Sequence, residues 1–249
     1  MEGASKVTLY AIDGRGYAES VRLCLAACRV AYEEVAVTTR AQLDALPTPL
    51  PKQLPLLVVE FEGARPAEGG DGSCRQAVRV ASAPAIIRHL ARAFALYGES
   101  EVEAARIDTL SEGVVTLCAK FVALPFSSVP LHSLHGGEDW EDPVTELRAR
   151  WLGLYLPAFE RALRDNGCTE GFGYLVGKHM SYADLLLLEV EEYCEEYCPG
   201  ALEEYVLLRS HWQRMRGKRQ LREFFDGTDG HRHPPSGREF VAAVREVMS

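Results

Sequence analysis

The sequence has no run of 18 apolar residues and no leader of the basic-then-apolar kind. A membrane-spanning helix needs about 20 apolar residues, and a secretory signal needs both of its parts. Neither a membrane span nor secretion is therefore expected, and residues 1–6 read as a short polar lead. The chain also lacks an excess of basic residues. Lys and Arg number 27 against 36 Asp and Glu, a net charge of −9. With an isoelectric point near 5.4, a non-specific binder of nucleic acid or of an anionic membrane is excluded. No CxxC pair and no zinc-spaced cluster occurs among the seven cysteines. Cys24/Cys28 and Cys194/Cys198 are each four apart, on one face of an expected helix. They read as reduced thiols packed as small apolar residues, in a reducing, cytoplasmic compartment. His231 and His233 stand without further ligands, so no metal site is expected. There is no internal repeat and no low-complexity tract.

What is present suffices for a sizeable core: 249 residues, 47% hydrophobic, in one or two domains. The chain is organised around residues 7–30, VTLYAIDGRGYAESVRLCLAACRV. A β-prone run at 7–12 meets the turn cluster Asp13-Gly14-Arg15-Gly16. Apolar residues then recur at helical spacing from Ala18 to Cys28. This is the first half of a βαβ unit.

Within the strand at 7–12, Val7, Leu9 and Ala11 share one face, and Thr8, Tyr10 and Ile12 the other. A helix is expected over 17–30 and a strand over 31–38, then a short helix or irregular loop at 40–50. Pro55 opens a strand at 56–61, where its missing donor costs least. The Gly-rich, charged stretch 62–76 reads as an inserted loop before a strand at 77–80. Ser82 stands as N-cap of the next helix, with Pro84 in its first turn. Residues 95–100 form a linker, and 101–121 a long amphipathic helix. A second inserted loop is expected at 127–142. The helix at 143–166 should kink or break at Pro157. Ser181 with Asp184 forms a capping box ahead of a strongly apolar helix at 181–197. Further helices follow over 201–225. An amphipathic tail at 236–248 carries Phe240, Val241, Val244 and Val247 on one face.

Four stretches in order, LYAIDGRGYAESVRL, KQLPLL, ASAPAIIRHLARAFALYG and GKHMSYAD, resemble the cytosolic glutathione transferases of the sigma, alpha, mu and pi group. The resemblance runs over about 7–225. It implies an α/β N-terminal thioredoxin-like domain followed by an all-α C-terminal domain. Residues 1–96 would be the glutathione-binding domain, 101–230 the helical domain and 231–249 a tail helix. It further implies a homodimer that uses glutathione as co-substrate, without a metal, to conjugate or isomerise small hydrophobic electrophiles. Gln53, Leu54, a cis Pro55 and Ser82 would hold glutathione, and Asp108 would reach the partner subunit's glutathione. Ile12, Tyr17, Val115 and Phe240 would line the hydrophobic-substrate site.

Three departures from the family pattern bear on catalysis. The position of the family's catalytic Tyr is Ala11, which leaves Arg15 and Tyr10 as candidate thiol activators. Strand alternation points Tyr10 to the opposite face, where it reads as a packing residue. Arg15 reads equally as an interdomain ion-pair residue. Counted back from Gln53, the family's Trp and Lys fall on Gln42 and Leu46, which cannot hold a carboxylate in the same way. The Gln before the family's Ser is Ala81. The alternative function is therefore a non-catalytic ligand carrier or protein-interaction module on the same scaffold.

Overall fold

Alternation decides the first element. β1 (Ala4–Ala11) turns Val7 and Leu9 into the core and Tyr10 to the other side. It starts earlier than expected because Ala4 and Lys6 pair with Phe61 and Glu60 across an irregular step. The computed structural model describes residues 3–48, 53–61, 76–126, 143–227 and 238–248. The expected loops at 62–76 (save Gln76) and 127–142 lie outside these residues, as do His231 and His233.

After β1, one 3-10 turn (Gly16–Ala18) leads into α1 (Glu19–Ala27). β2 (Glu33–Ala36) is shorter than the expected 31–38, since β1 offers it only Thr8 to Ala11 as parallel partners. α2 (Arg40–Ala45) follows, then β3 (Leu56–Phe61) and β4 (Gln76–Ala81). The sheet order is β2-β1-β3-β4, with β1/β3 and β3/β4 antiparallel. α1 and α3 (Ala83–Ala93) cover one face through Val21, Leu25, Ile86 and Leu90, all fully buried. Leu43 of α2 covers the other. Each such side chain contributes roughly 1.5–3 kcal/mol by leaving water.

The second half is helical: α4 (Glu101–Ala123), α5 (Pro143–Glu146), α6 (Gly153–Asp165), α7 (Tyr182–Tyr197), α8 (Val206–Gly217), α9 (Arg219–Asp226) and α10 (Arg238–Met248). Ser100 caps α4 by accepting from the Glu103 amide at 3.2 Å. Extended by the 3-10 turn Leu124–Phe126, α4 is long and apolar enough to cross a membrane by length and composition. Here Ile107, Val114, Leu117 and Phe121 are buried in the core it shares with α7. Pro157 does not break its helix, which continues to Asp165. The irregularity falls one turn earlier, in a π-helical segment, Leu147–Leu152.

At the head of α7, Asp184 accepts from the Ser181 amide at 2.8 Å and from its hydroxyl at 2.9 Å. It also accepts from the Leu175 amide at 2.8 Å. The expected cap thus also pins the incoming loop to the helix start.

Candidate functional site

A cavity of about 540 Å³ opens where the end of β1, the approach to β3 and the tail helix α10 meet. Gln53, Leu54, Pro55 and Ser82 form one side of it. Ala11, Ile12 and the turn from Arg15 to Ala18 form the second. Val122, Ala123 and Phe126 close the far end, and Phe240, Val244 and Met248 close the side formed by α10. One end is therefore polar and the other apolar, the division expected of a site that takes a polar and an apolar molecule together.

Ser82 is the most informative residue of the polar end. Its φ is +77° and its ψ 130°, a region that side-chain-bearing residues rarely adopt. Such a backbone costs about 1–3 kcal/mol and persists only where the surroundings impose it. Here its amide donates to the Pro55 carbonyl at 2.9 Å, and the Leu54–Pro55 bond is cis. Its carbonyl starts α3 by accepting from Ala85 and Ile86. The expectation of a hydroxyl N-cap is corrected: Ser82 occupies the cap position, yet its side chain makes no cap bond. Ser82 stands at the cavity wall at the N-terminus of α3, the positive end of the helix dipole, an arrangement that favours an anion.

The apolar end is shaped by the tail. Phe240 stacks edge-on to Phe126, with ring centroids 6.1 Å apart, and lies over the Gly14–Gly16 turn. A Cβ built on Gly14, at φ +113°, would lie 2.4 Å from Phe240 Cδ2. The two glycines thus let the tail helix seat. Val247 joins Val37 and Leu43 beneath it, and Arg40 donates to the Met248 carbonyl at 3.1 Å.

Ile12, Tyr17 and Phe240 come together at the cavity as the sequence suggests. Val115 does not: it packs on the core two turns back, and Val122 and Ala123 take its place. Phe126, Val244 and Met248 were not anticipated. The signal for Val244 was the apolar stripe of the tail, but its seat was not local.

Tyr10 is absent from the cavity wall. Its ring packs with Leu54 and Leu46 on the opposite sheet face, the side change that alternation requires. Arg15 is at the wall, but its guanidinium pairs with Glu196 of α7 and lies over the Tyr193 ring, 5.1 Å from the centroid. Its charge is already compensated across the domain boundary. Gln42 is a capping residue of α2, bonded to Thr38 and Thr39, and Leu46 packs beside Tyr10. Asp108 accepts from Tyr97 at 2.7 Å and from Tyr182, and pairs with Arg88 at 3.4 Å.

A four-stranded thioredoxin-like sheet joined to a helical domain, with a two-ended cavity at their junction, defines a class of two-domain proteins. Residues 138–227 match the family model described as glutathione S-transferase, C-terminal domain. The chain is 30% identical over 248 residues to glutathione S-transferase A4 of Mus musculus, covering 98% of this chain and 99% of the relative. It is likewise 30% identical over 248 residues to glutathione S-transferase A1 of Bos taurus, with the same shares covered. A pi-class glutathione S-transferase structure from Onchocerca volvulus superposes with a TM-score of 0.69 at 25% identity, over 90% of this chain and 94% of that one. The chain belongs to the glutathione S-transferase family.

Proposed function

We propose that the protein binds glutathione at the polar end of the cavity and bonds its thiolate sulfur to small hydrophobic electrophiles held at the apolar end, by addition or by displacement of a leaving group. The single observation that supports this most is Ser82. A strained backbone, a hydroxyl withheld from capping and a helix N-terminus meet at one cavity wall beside Gln53 and Leu54. In this reading the Ser82 hydroxyl and the positive end of the α3 dipole take the γ-glutamyl carboxylate, and Leu54 pairs its backbone with the cysteinyl part. Strain of that kind gathers at ligand clamps.

The thiol must ionise near neutral pH. Lowering its pKa from about 8.5 by roughly two units requires about 2.7 kcal/mol of thiolate stabilisation. With Ala11 in place of a tyrosine and Tyr10 on the far face, two sources remain at the wall. One is Tyr17, which lines the cavity and in this reading donates its hydroxyl to the sulfur. The other is the set of amides opening the 3-10 turn at Gly16. Arg15 contributes a weaker field because Glu196 compensates it. The protein acts as a cytoplasmic homodimer in this reading.

A carrier without turnover is the second reading, favoured by Ala11 and by the compensated Arg15. Titrating the protein with glutathione at neutral pH, and following thiolate absorbance, separates the two. Saturable thiolate that falls in Ser82→Ala and in Tyr17→Phe supports the transferase. Saturable binding without thiolate supports the carrier, and no binding refutes both.

A further inference from the structure

Arg22 of α1 is 7% exposed although it carries a full charge. A guanidinium leaves water without heavy cost only where its donors find partners. Here each of its three nitrogens does. Nε donates to both oxygens of Glu34 on β2, at 3.1 and 3.0 Å, and Nη2 donates to Glu34 Oε1. Nη1 donates to Glu19 Oε2 at 3.1 Å, to the Gly14 carbonyl at 2.9 Å and to the Arg15 carbonyl at 3.3 Å. Glu19, from its own helix, and Glu34, from β2, are the charged groups that face it.

The two carbonyls are the informative partners. They belong to the turn between β1 and α1. The residues that follow them, Gly16 and Tyr17, stand at the wall of the large cavity, and Arg22 lies behind that wall. The turn has little stiffness of its own. Gly14 sits at φ +113° and Gly16 at φ +44°, and glycine loses more conformational freedom on being fixed than any other residue. The peptide bonds here are trans, and in a trans peptide the N–H points opposite to the C=O. Holding the Gly14 and Arg15 carbonyls on Arg22 therefore turns the Arg15 and Gly16 amides away from it. It also fixes where Tyr17 leaves the turn.

We propose that Arg22 is a positioning residue for thiol activation: it holds the Gly14–Arg15 backbone so that the Gly16 amide and the Tyr17 hydroxyl stay directed at the glutathione sulfur. This role rests on the transferase reading above, in which those two groups stabilise the thiolate. Arginine suits it because its planar fork carries donors on separate edges. One edge grips the Glu34 carboxylate, and the other end of the fork reaches the two carbonyls. Lysine at this position would keep the charge, but a single ammonium is a point donor and cannot serve both sides. Gln53, Leu54 and Ser82, which hold glutathione in the same reading, belong to other segments of the chain. Loss of the fork should therefore weaken activation more than binding.

The test is a pH titration of thiolate absorbance with saturating glutathione, on the unaltered full chain and on Arg22→Lys. In Arg22→Lys the bound thiol's pKa should rise by about one unit towards the free value of about 8.5, which is about tenfold less thiolate at a pH below both values. The Kd for glutathione should change by less than about threefold. A purely structural role would lower the melting temperature and leave the bound thiol's pKa where it is. Glu34→Gln is the second variant, at a side chain 34% exposed. It keeps Arg22 but loosens one edge of the fork, and should raise the thiol's pKa by a smaller amount in the same direction. An unchanged thiol pKa in Arg22→Lys overturns the positioning role and leaves the transferase reading standing. Where Arg22→Lys does not fold, an unchanged pKa in Glu34→Gln does the same. An unaltered chain that forms no thiolate overturns both.

Discussion

His211 is wholly buried between two carboxylates of another helix. Its Nδ1 lies 2.9 Å from both oxygens of Glu191, and its Nε2 3.3 Å from Asp184 Oδ1. Burial opposes a charge on the ring, but Glu191 and Asp184 outweigh it and raise His211 to about 9. The folded chain therefore holds this proton more tightly than the unfolded one, whose imidazole titrates near 6.5. The stability it contributes is present in full below pH 6.5 and is lost as pH rises through about 9. From 6.5 to about 9 is about 2.5 units, or roughly 3 kcal/mol at 1.36 kcal/mol per unit. Burial likewise pushes Glu189 up to about 8, so it also makes stability fall with rising pH. His211→Leu would leave Glu191 and Asp184 buried without their cation. Breaking such a group costs about 3–5 kcal/mol. In urea unfolding followed by circular dichroism, the variant should lose that much at pH 6.5, and the gap should narrow by roughly 3 kcal/mol at pH 9.5. Replacing both members, Glu191→Leu with His211→Leu, should cost less than His211→Leu alone, since apolar residues can replace a buried pair with little loss. A gap that stays constant from pH 6.5 to 9.5, or a His211→Leu cost under about 1 kcal/mol, would refute the assignment of a charged His211.

Three further perturbations follow from the same geometry. Ser82→Gly should raise thermal stability, by about 1 kcal/mol, because glycine adopts a φ of +77° freely, yet glutathione binding should weaken; Ser82→Ala should weaken binding without the gain. Gly14→Ala puts a Cβ 2.4 Å from Phe240 at a φ of +113°. It should displace α10, seen as faster proteolysis of the tail, and lower affinity for apolar ligands by at least about tenfold. Glu160 accepts from the Leu207 and Leu208 amides at 3.3 and 3.0 Å, capping α8 from α6. Glu160→Ala should cost about 1–2 kcal/mol in urea unfolding, and little of that should return in salt.

What was legible in the sequence was whatever is decided within a few residues. The strand at 56–61 appears with the expected bounds, since alternation, Pro55 and the flanking turn all act locally. The Ser181–Asp184 cap is a three-residue matter, and it formed. Tyr10 could be assigned a face by counting alone. The partner of Arg15 could not be read, because Glu196 is 181 positions away and belongs to the other domain. Val115 was misassigned for a related reason. An amphipathic helix declares its buried face but not how far along that face the neighbouring domain ends.

The unread part of the site has one common cause, which also bears on its chemistry. Ala11 takes a position that alternation directs at the cavity, and it brings no hydroxyl there. A polar donor must then come from the next element, the 3-10 turn, and its placement depends on how Gly14 and Gly16 accommodate Phe240. Under the proposed transferase function, thiol activation would thereby be tied to the seat of the tail helix. A substitution that unseats α10 should raise the thiol's pKa as well as open the apolar end. A tail variant such as Phe240→Ala that loses apolar ligands while keeping the full thiolate signal would separate the two and place the activating group outside the turn.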